Sequence, residues 1–474
     1  MKPIQYARDV SVRHEVDVFI AGGGPAGIAA GVTAARQGAR VFLAEGMACF
    51  GGMGTSAGLP LFCAVTDGVN FSSAGFGTDV YERLTAAGGS MSSRGEPAPH
   101  MPPPVAGTAA SRPGIFDFSG YYNPEILKRV YDGLAQESGL GFSFHTQFLD
   151  LQCANGSIEH VICAAKSGLF AVKAKVYIDC TGDGDLCARA GAAFEKGDAR
   201  GDMQPATLVS LWGDVDWEEA SSSGCGVWQQ HRQLHRAFAD KVFTTEDPHL
   251  PGMIPVGPHA GGGNIGHAFG IDGTDERSLT RGLLHGRKLV LEYERFYKNY
   301  LRGYARMQLL GTGALLGVRE TRRILGDYVL NLEDFKRRAV FADEIGRFSY
   351  PVDLHAARPE KEAYDRFEKE FTELCFKAGE TYGIPYRCLL PRGLDNVLVA
   401  GRCISTDRPL QGSVRVMPGC FITGQAAGMA AAMAAATGTP PRQLDVPQLQ
   451  ANLATMGAWL PNRKAEGFTG GSQP

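Results

Sequence analysis

Short apolar runs, glycine turns and alanine-rich stretches alternate along the first fifty residues. Residues 16–21 form an apolar run of strand length. It leads into Gly22-x-Gly24-x-x-Gly27, followed by an alanine-rich stretch over 28–36 that predicts a helix. A second apolar run over 39–44 ends on Glu45. Residues 76–87 predict another helix. Asn123 and Pro124 predict a helix through about residue 136, with Asn123 as N-cap and Pro124 in the first helical position. Three β-like runs follow, over 142–151, 158–164 and 170–178, and Asn155-Gly156 is a hairpin turn between the first two. The third run ends in Thr181-Gly182 and opens a helix with acids in its first turn, where Asp183 and Asp185 are either caps or polar contacts to a ligand.

The middle of the chain has a different pattern. Residues 205–228 hold Trp212, Trp217 and Trp228, and 247–275 are rich in Pro, Gly and His. A long amphipathic helix is predicted over 275–301, with apolar positions Leu279, Leu283, Leu284, Leu289, Leu291 and Phe296. Residues 315–332 carry Arg319, Glu320, Arg322 and Arg323. A salt-bridged helix and a cluster for a polar ligand both remain open there. Residues 358–377 predict a charged, solvent-facing helix. The last third returns to buried character, with a strand over 396–401 ending in Gly401, then a loop, residues 412–418, and a helix of small residues including Gly424. Pro418 suits its first turn. Residues 88–114 are rich in Pro, Ser and Gly and predict a mobile lid. Residues 461–474 predict a disordered tail.

Composition narrows the class. The chain has 474 residues, 44% hydrophobic and 20% charged, enough for more than one domain. Net charge is −3, so no basic excess points to nucleic acid. No run of 18 apolar residues predicts a membrane span, and no apolar leader core is found near residue 1. The expected location is cytoplasmic. The 11 cysteines show no metal spacing and no disulfide framework, so no metal is expected.

The chemistry follows from the glycine turn. Gly22 permits the tight turn, Gly24 lets backbone approach a pyrophosphate, and Gly27 allows close helix–strand packing. Pro25 and Ala26 lie in the same turn. The helix N-terminus favours phosphate, and Glu45 can accept from ribose hydroxyls. This motif alone fits FAD or NAD. The loop Gly51-Gly52-Met53 can wrap a pyrophosphate or a flavin ring. Thr181 and Gly182 can pass close to the nucleotide. The small-residue helix would point positive charge at a reduced flavin, and Arg415 adds to it.

Taken together, the segments Gly22–Gly27 with Glu45, Gly51-Gly52-Met53, 178–185, 317–323, 384–391, 399–405 and 412–418 resemble the FAD-dependent oxidoreductases of the glutathione-reductase-type fold. The chain is most similar to a bacterial group distantly related to fumarate reductase flavoproteins. The resemblance implies an α/β architecture: a Rossmann-like FAD-binding domain, its parallel sheet carrying a β-meander, plus a mixed α+β substrate or cap domain. It divides the chain into 1–204, the cap 205–385, and 386–460. It implies FAD, expected to be non-covalent, near Phe148 on the meander and near Gly401, Arg402, Arg415, Pro418 and Gly424. It implies an enzyme that moves hydride from a small polar alcohol or amine to flavin N5 and passes electrons to oxygen or a carrier. Reduction of an activated C=C bond and flavin-assisted isomerisation or hydration are the alternatives. His355 is the first candidate base, followed by Tyr350 and Tyr386. Arg319, Arg387 and Arg415 are candidates to orient the substrate. Substrate identity and oligomeric state stay open.

Overall fold

The computed structural model describes residues 3–92, 120–359 and 374–462. The expected lid lies largely outside these residues, as do most of the expected charged helix over 358–377 and nearly all of the tail.

The first apolar run is the end of a longer strand, β1 (Val12–Ala21), which leads through the glycine turn to α1 (Pro25–Arg36) and β2 (Val41–Ala44). The two predicted helices follow as α2 (Phe76–Ala86) and α3 (Pro124–Glu137). Asn123 caps α3 by accepting from the amides of Glu125 and Ile126. The three β-like runs become β4 (Thr146–Ala154), β5 (Ser157–Ala165) and β6 (Gly168–Asp179), preceded by a short β3 (Gly141–Ser143). Asn155 and Gly156 both take positive φ, 50° and 78°, which a two-residue hairpin of this hand requires.

These strands build one seven-stranded sheet in the order β3-β2-β1-β6-β5-β4, with β11 (Val397–Val399) also paired to β6. The pairs β1–β2, β1–β6, β2–β3 and β6–β11 are parallel, while β4–β5 and β5–β6 are antiparallel. Strand β6 therefore divides its outer edge. Its first half pairs with the meander and its last residues, Tyr177–Asp179, pair with β11. The expected α/β class, parallel sheet and meander are all present.

A second, antiparallel sheet of four strands runs β8 (Gly252–Gly257), β9 (Ala260–Asn264), β7 (Ser210–Gly213) and β10 (Gln308–Thr312). The long helix α4 (Glu276–Tyr300) shares a core with it, in which Trp212 and Met253 of the sheet lie with Leu289 and Tyr297 of the helix. Its buried face comprises Ser278, Gly282, Gly286, Leu289, Val290, Tyr293, Phe296 and Tyr297. Leu284 and Leu291, read as core positions, are 54% and 51% exposed. The stripe runs through two glycines instead, because Leu208 fills the space a side chain at Gly286 would need.

Part of the expected loop before the small-residue helix is itself helical: α5 (Arg408–Val414) is capped by Asp407, which accepts from Leu410 N. Then comes α6 (Met417–Thr437), long and apolar enough to cross a membrane, yet 89% of that apolar stretch is buried inside the protein. It is a core helix packed on α1. A Cβ on Gly424 would lie 2.3 Å from the Ala26 carbonyl oxygen, and one on Gly428 2.2 Å from that of Ala30. The two backbones touch because both helices offer glycine and alanine there.

Candidate active site

One cavity of about 430 Å3 runs along the carboxyl ends of β1 and β2 toward the start of α6. Its volume falls in the usual range for small-molecule sites. The position follows the rule for parallel sheets, where ligands bind beyond the strand C-termini.

The glycine turn forms its floor. Gly22 (φ +91°) could not carry a Cβ, which would lie 2.7 Å from the Cys180 carbonyl oxygen. Gly27 does not line the cavity; a Cβ there would sit 1.9 Å from the Gly22 oxygen, so its role is to let α1 start against β1. Gly24 faces the cavity with nothing within 4 Å of its Cβ position. It is also the N-cap of α1 and has no side-chain hydrogen bond, leaving the helix amides available. Pro25 and Ala26 line the cavity beside it.

At one end stand Glu45 and Phe148. Glu45 is 7% exposed, and its two oxygens accept from Gly23 N and Met47 N, each at 2.6 Å. Burial raises its pKa while these two amides oppose the rise. Gly52 and Met53 line the wall. Gly51 stands behind them, in the left-handed region at φ +101° and donating to Gly23 O at 2.9 Å. Along the middle, Thr181, Gly182 and Asp183 face Gly401 and Arg402.

Asp179, which the sequence reading passed over, fixes that middle segment. It is fully buried and accepts from Thr181 N and Oγ1 and from Cys187 N at 3.1, 2.7 and 2.8 Å. The signal was an acid at the end of an apolar strand, just before Thr-Gly. Asp183 and Asp185 are not caps; Gly184 holds that position in the left-handed region. Asp183 instead accepts from Arg402 Nη2 at 2.6 Å and Thr321 Oγ1 at 2.8 Å, and Asp185 pairs with Arg322 at 2.7 Å.

At the other end Arg415, Val416, Met417 and Cys420 bring the uncapped N-terminus of α6 to the wall. Pro418 and Gly424 do not line the cavity: Pro418 serves the first helical turn and Gly424 the packing on α1. Arg415 Nη2 donates to the Asp353 carboxylate and to its carbonyl, both at 2.9 Å. Its Nε is buried and has no hydrogen-bond partner among the described residues. Leu59, Leu61, Cys63, Leu279, Leu283, Leu315 and Leu316 complete a largely apolar wall. Burial, with Asp353 adding to it, pushes the Cys63 thiol up to about 12, so it keeps its proton.

The remaining candidates fall elsewhere. Tyr386 donates to Pro441 O at 3.0 Å. Arg387 pairs with Asp343 at 2.9 Å and covers the Tyr328 ring. Neither lines the cavity. Arg319 donates to Pro205 O and Thr207 Oγ1 at 2.7 and 3.0 Å. The segment around it is not a helix; it leads into a short strand, Arg322–Ile324. Fully buried Glu320 joins Arg323 at 2.9 Å and Arg408 at 3.0 Å. The arginines are thus mostly committed to internal pairs.

Tyr350 and His355 do not line the cavity; both reach Arg415, in its wall, through Asp353. Tyr350 Oη donates to Asp353 Oδ2 at 3.2 Å, and His355 Nε2 lies 3.3 Å from Asp353 Oδ1. Burial disfavours the Asp353 carboxylate, but His355, Arg415 and Arg319 outweigh it and hold its pKa far below the usual range. Burial, reinforced by Arg319, holds His355 well below 6.5. On its other side His355 meets His267, with Nδ1 3.0 Å from His267 Nε2, and His249 stands edge-on at 4.5 Å.

A cavity along the strand C-termini, two uncapped helix N-termini on it, and the Arg415 guanidinium in its wall at one end fit a dinucleotide flavin. The fold and site define a flavin-type dinucleotide-binding enzyme. The chain belongs to the FAD dependent oxidoreductase family, whose sequence profile matches residues 17–453. It is an FAD-dependent oxidoreductase. Among solved structures it is similar to a geranylgeranyl bacteriochlorophyll reductase-like protein of Thermoplasma acidophilum, at 14% identity and TM-score 0.42, over 94% of this chain and 83% of that one. A triple mutant of the flavin-dependent brominase Bmp2 matches at 13% identity and TM-score 0.43, over 93% and 83%. The anhydrotetracycline hydroxylase OxyS of Streptomyces rimosus matches at 15% and 0.39, over 93% and 65%. A search of curated proteins returned no match.

Proposed function

We propose that this oxidoreductase acts as a dehydrogenase or oxidase of a small polar alcohol or amine, with FAD held non-covalently. When bound, FAD supplies a two-electron acceptor for a hydride from the substrate's C–H bond. The observation that carries the reading is Arg415. Its guanidinium is anchored by Asp353 on one edge, and the residue lines the cavity wall beside the start of α6. That positive charge, with the α6 N-terminus, favours an electron-rich oxygen or ring atom at this end of the cavity. Asp353 stays ionised and balances the charge of Arg415. Tyr350 keeps its proton, since burial and the Asp353 charge raise its pKa well above 10, and it donates to the same carboxylate. With the cavity filled, the leucines of its wall would keep water from this end and strengthen these interactions. His355 acts here as a positioning residue for Asp353.

Acid precipitation should release yellow colour into the supernatant. The purified protein, mixed anaerobically with a panel of alcohols and amines, should bleach with at least one of them. Arg415→Met should retain FAD and slow that bleaching by about 10²–10³-fold, the usual effect of removing one preorganised donor. Bleaching at the wild-type rate in this variant would remove Arg415 from the reaction. Failure of every alcohol and amine, together with reoxidation of the reduced protein by an enoate, would reverse the assigned direction.

A further inference from the structure

Three histidines far apart in the sequence, His249, His267 and His355, meet with their candidate donor nitrogens all within 4.8 Å of one another. His267 and His355 are 4% and 7% exposed. Each is backed by a carboxylate. His267 Nδ1 lies 2.8 Å from Asp247 Oδ2, and His355 Nε2 lies 3.3 Å from Asp353 Oδ1. The two rings face each other through their other nitrogens, His267 Nε2 and His355 Nδ1, at 3.0 Å.

The hydrogens of this pair are in conflict. A neutral imidazole has one N–H and one lone pair. Both carboxylates are acceptors, so both N–H groups belong on the outer nitrogens. The inner nitrogens then oppose each other as two lone pairs, which repel at this separation. A positive centre beside them removes the conflict. A shared proton would engage two nitrogens; the structure gathers three.

We propose that His249, His267 and His355 bind a divalent first-row transition-metal ion, with Asp247 and Asp353 orienting two of the imidazoles from behind. Zinc–imidazole bonds of about 2.0–2.1 Å put two nitrogens of a tetrahedron about 3.3 Å apart, close to the 3.0 Å of the His267–His355 pair and inside the 4.8 Å that bounds the three. A ligating imidazole whose second nitrogen donates to a carboxylate is the common arrangement around protein-bound metals. Imidazole sets suit zinc, copper, iron and nickel. Three protein ligands leave a fourth position for water or substrate. Arg319 opposes the cation electrostatically, but its Nη1 is directed to Pro205 and Thr207. The chain metal–His355–Asp353–Arg415 would connect the ion to the cavity wall. The assignment does not depend on the direction of the redox reaction.

The test uses the FAD-loaded protein, stripped with a chelator and then titrated with Zn2+ alone. About one ion per chain is expected by elemental analysis, and Co2+ in its place should give the visible bands of a four-coordinate site in the difference spectrum. His249→Gln and His267→Gln should lose the stoichiometric ion while keeping the flavin spectrum, which reports folding and FAD binding independently. Asp247→Asn should weaken zinc by about 10–100-fold. Two results would overturn the proposal: a wild-type protein that takes up far less than one ion per chain, or zinc binding that is unchanged in both histidine variants. A strongly downfield imidazolium proton in a protein that refuses zinc would assign the contact to a shared proton instead.

Discussion

Single residues settle how the nucleotide loop is held. Asp179 is the clearest case, because its carboxylate satisfies two backbone amides and one hydroxyl inside the protein. Burial raises its pKa and those three donors counter it. Asp179→Ala removes the acceptor of the buried Cys187 amide, at about 1–3 kcal/mol, and of the half-buried Thr181 donors at less. The expected outcome is a lower melting temperature and weaker FAD binding, measured by thermal unfolding and flavin fluorescence. Unchanged affinity would show that the Thr181-Gly182 segment is held by other contacts. Asp183 follows the same logic. Its sequence context allowed a helix cap, but Arg402 and Thr321, more than 100 positions away, claim the carboxylate.

At the scale of elements, the α1–α6 contact governs the shape of the cavity. Both helices start at it, and their spacing is set by Gly424 and Gly428 against the carbonyls of Ala26 and Ala30. Gly428→Ala places a methyl where only 2.2 Å is open, so the helices must separate. Overpacking of this kind costs about 1–3 kcal/mol. Chemical denaturation should show that loss, and retained stability would mean the helices slide without strain. The glycines and alanines that permit this close packing stand in the sequence of both helices, over 27–35 and 424–435. The amphipathic reading of α4 was only partly right. Leu279 and Leu283 do face the cavity, whereas Leu284 and Leu291 turn to solvent, and the glycines that carry the buried stripe give no hydrophobic signal.

For the whole molecule, the cavity is walled by residues from the N-terminal strand–helix unit, from α4 and the 314–318 segment, and from the start of α6. A ligand that bridges these parts binds the folded chain and not the unfolded one. FAD at 100 times its dissociation constant should therefore stabilise the protein by about 2.7 kcal/mol. The check is the melting temperature of flavin-stripped protein as FAD is added. No rise would mean that the cavity does not assemble around the cofactor.

The sequence by itself determined the local units. The strand–glycine–helix turn, the Asn155-Gly156 hairpin and the Asn123-Pro124 helix start all depend on neighbours within a few residues, where steric and hydrogen-bond rules act without help from the rest of the chain. Tertiary structure alone decided which distant groups share a volume. His249, His267 and His355 lie as much as 106 positions apart (355 minus 249), and no local pattern joins them. The arginines of 319–323 had one pattern and two readings until Glu320, Arg408 and Asp185 were placed around them. Tyr386 and Arg387 looked chemical and were drawn to Pro441 and Asp343 instead. The physical reason is common to all of these. A buried polar group is satisfied by whatever partner the fold brings within about 3 Å, and long-range packing, not sequence spacing, sets that distance.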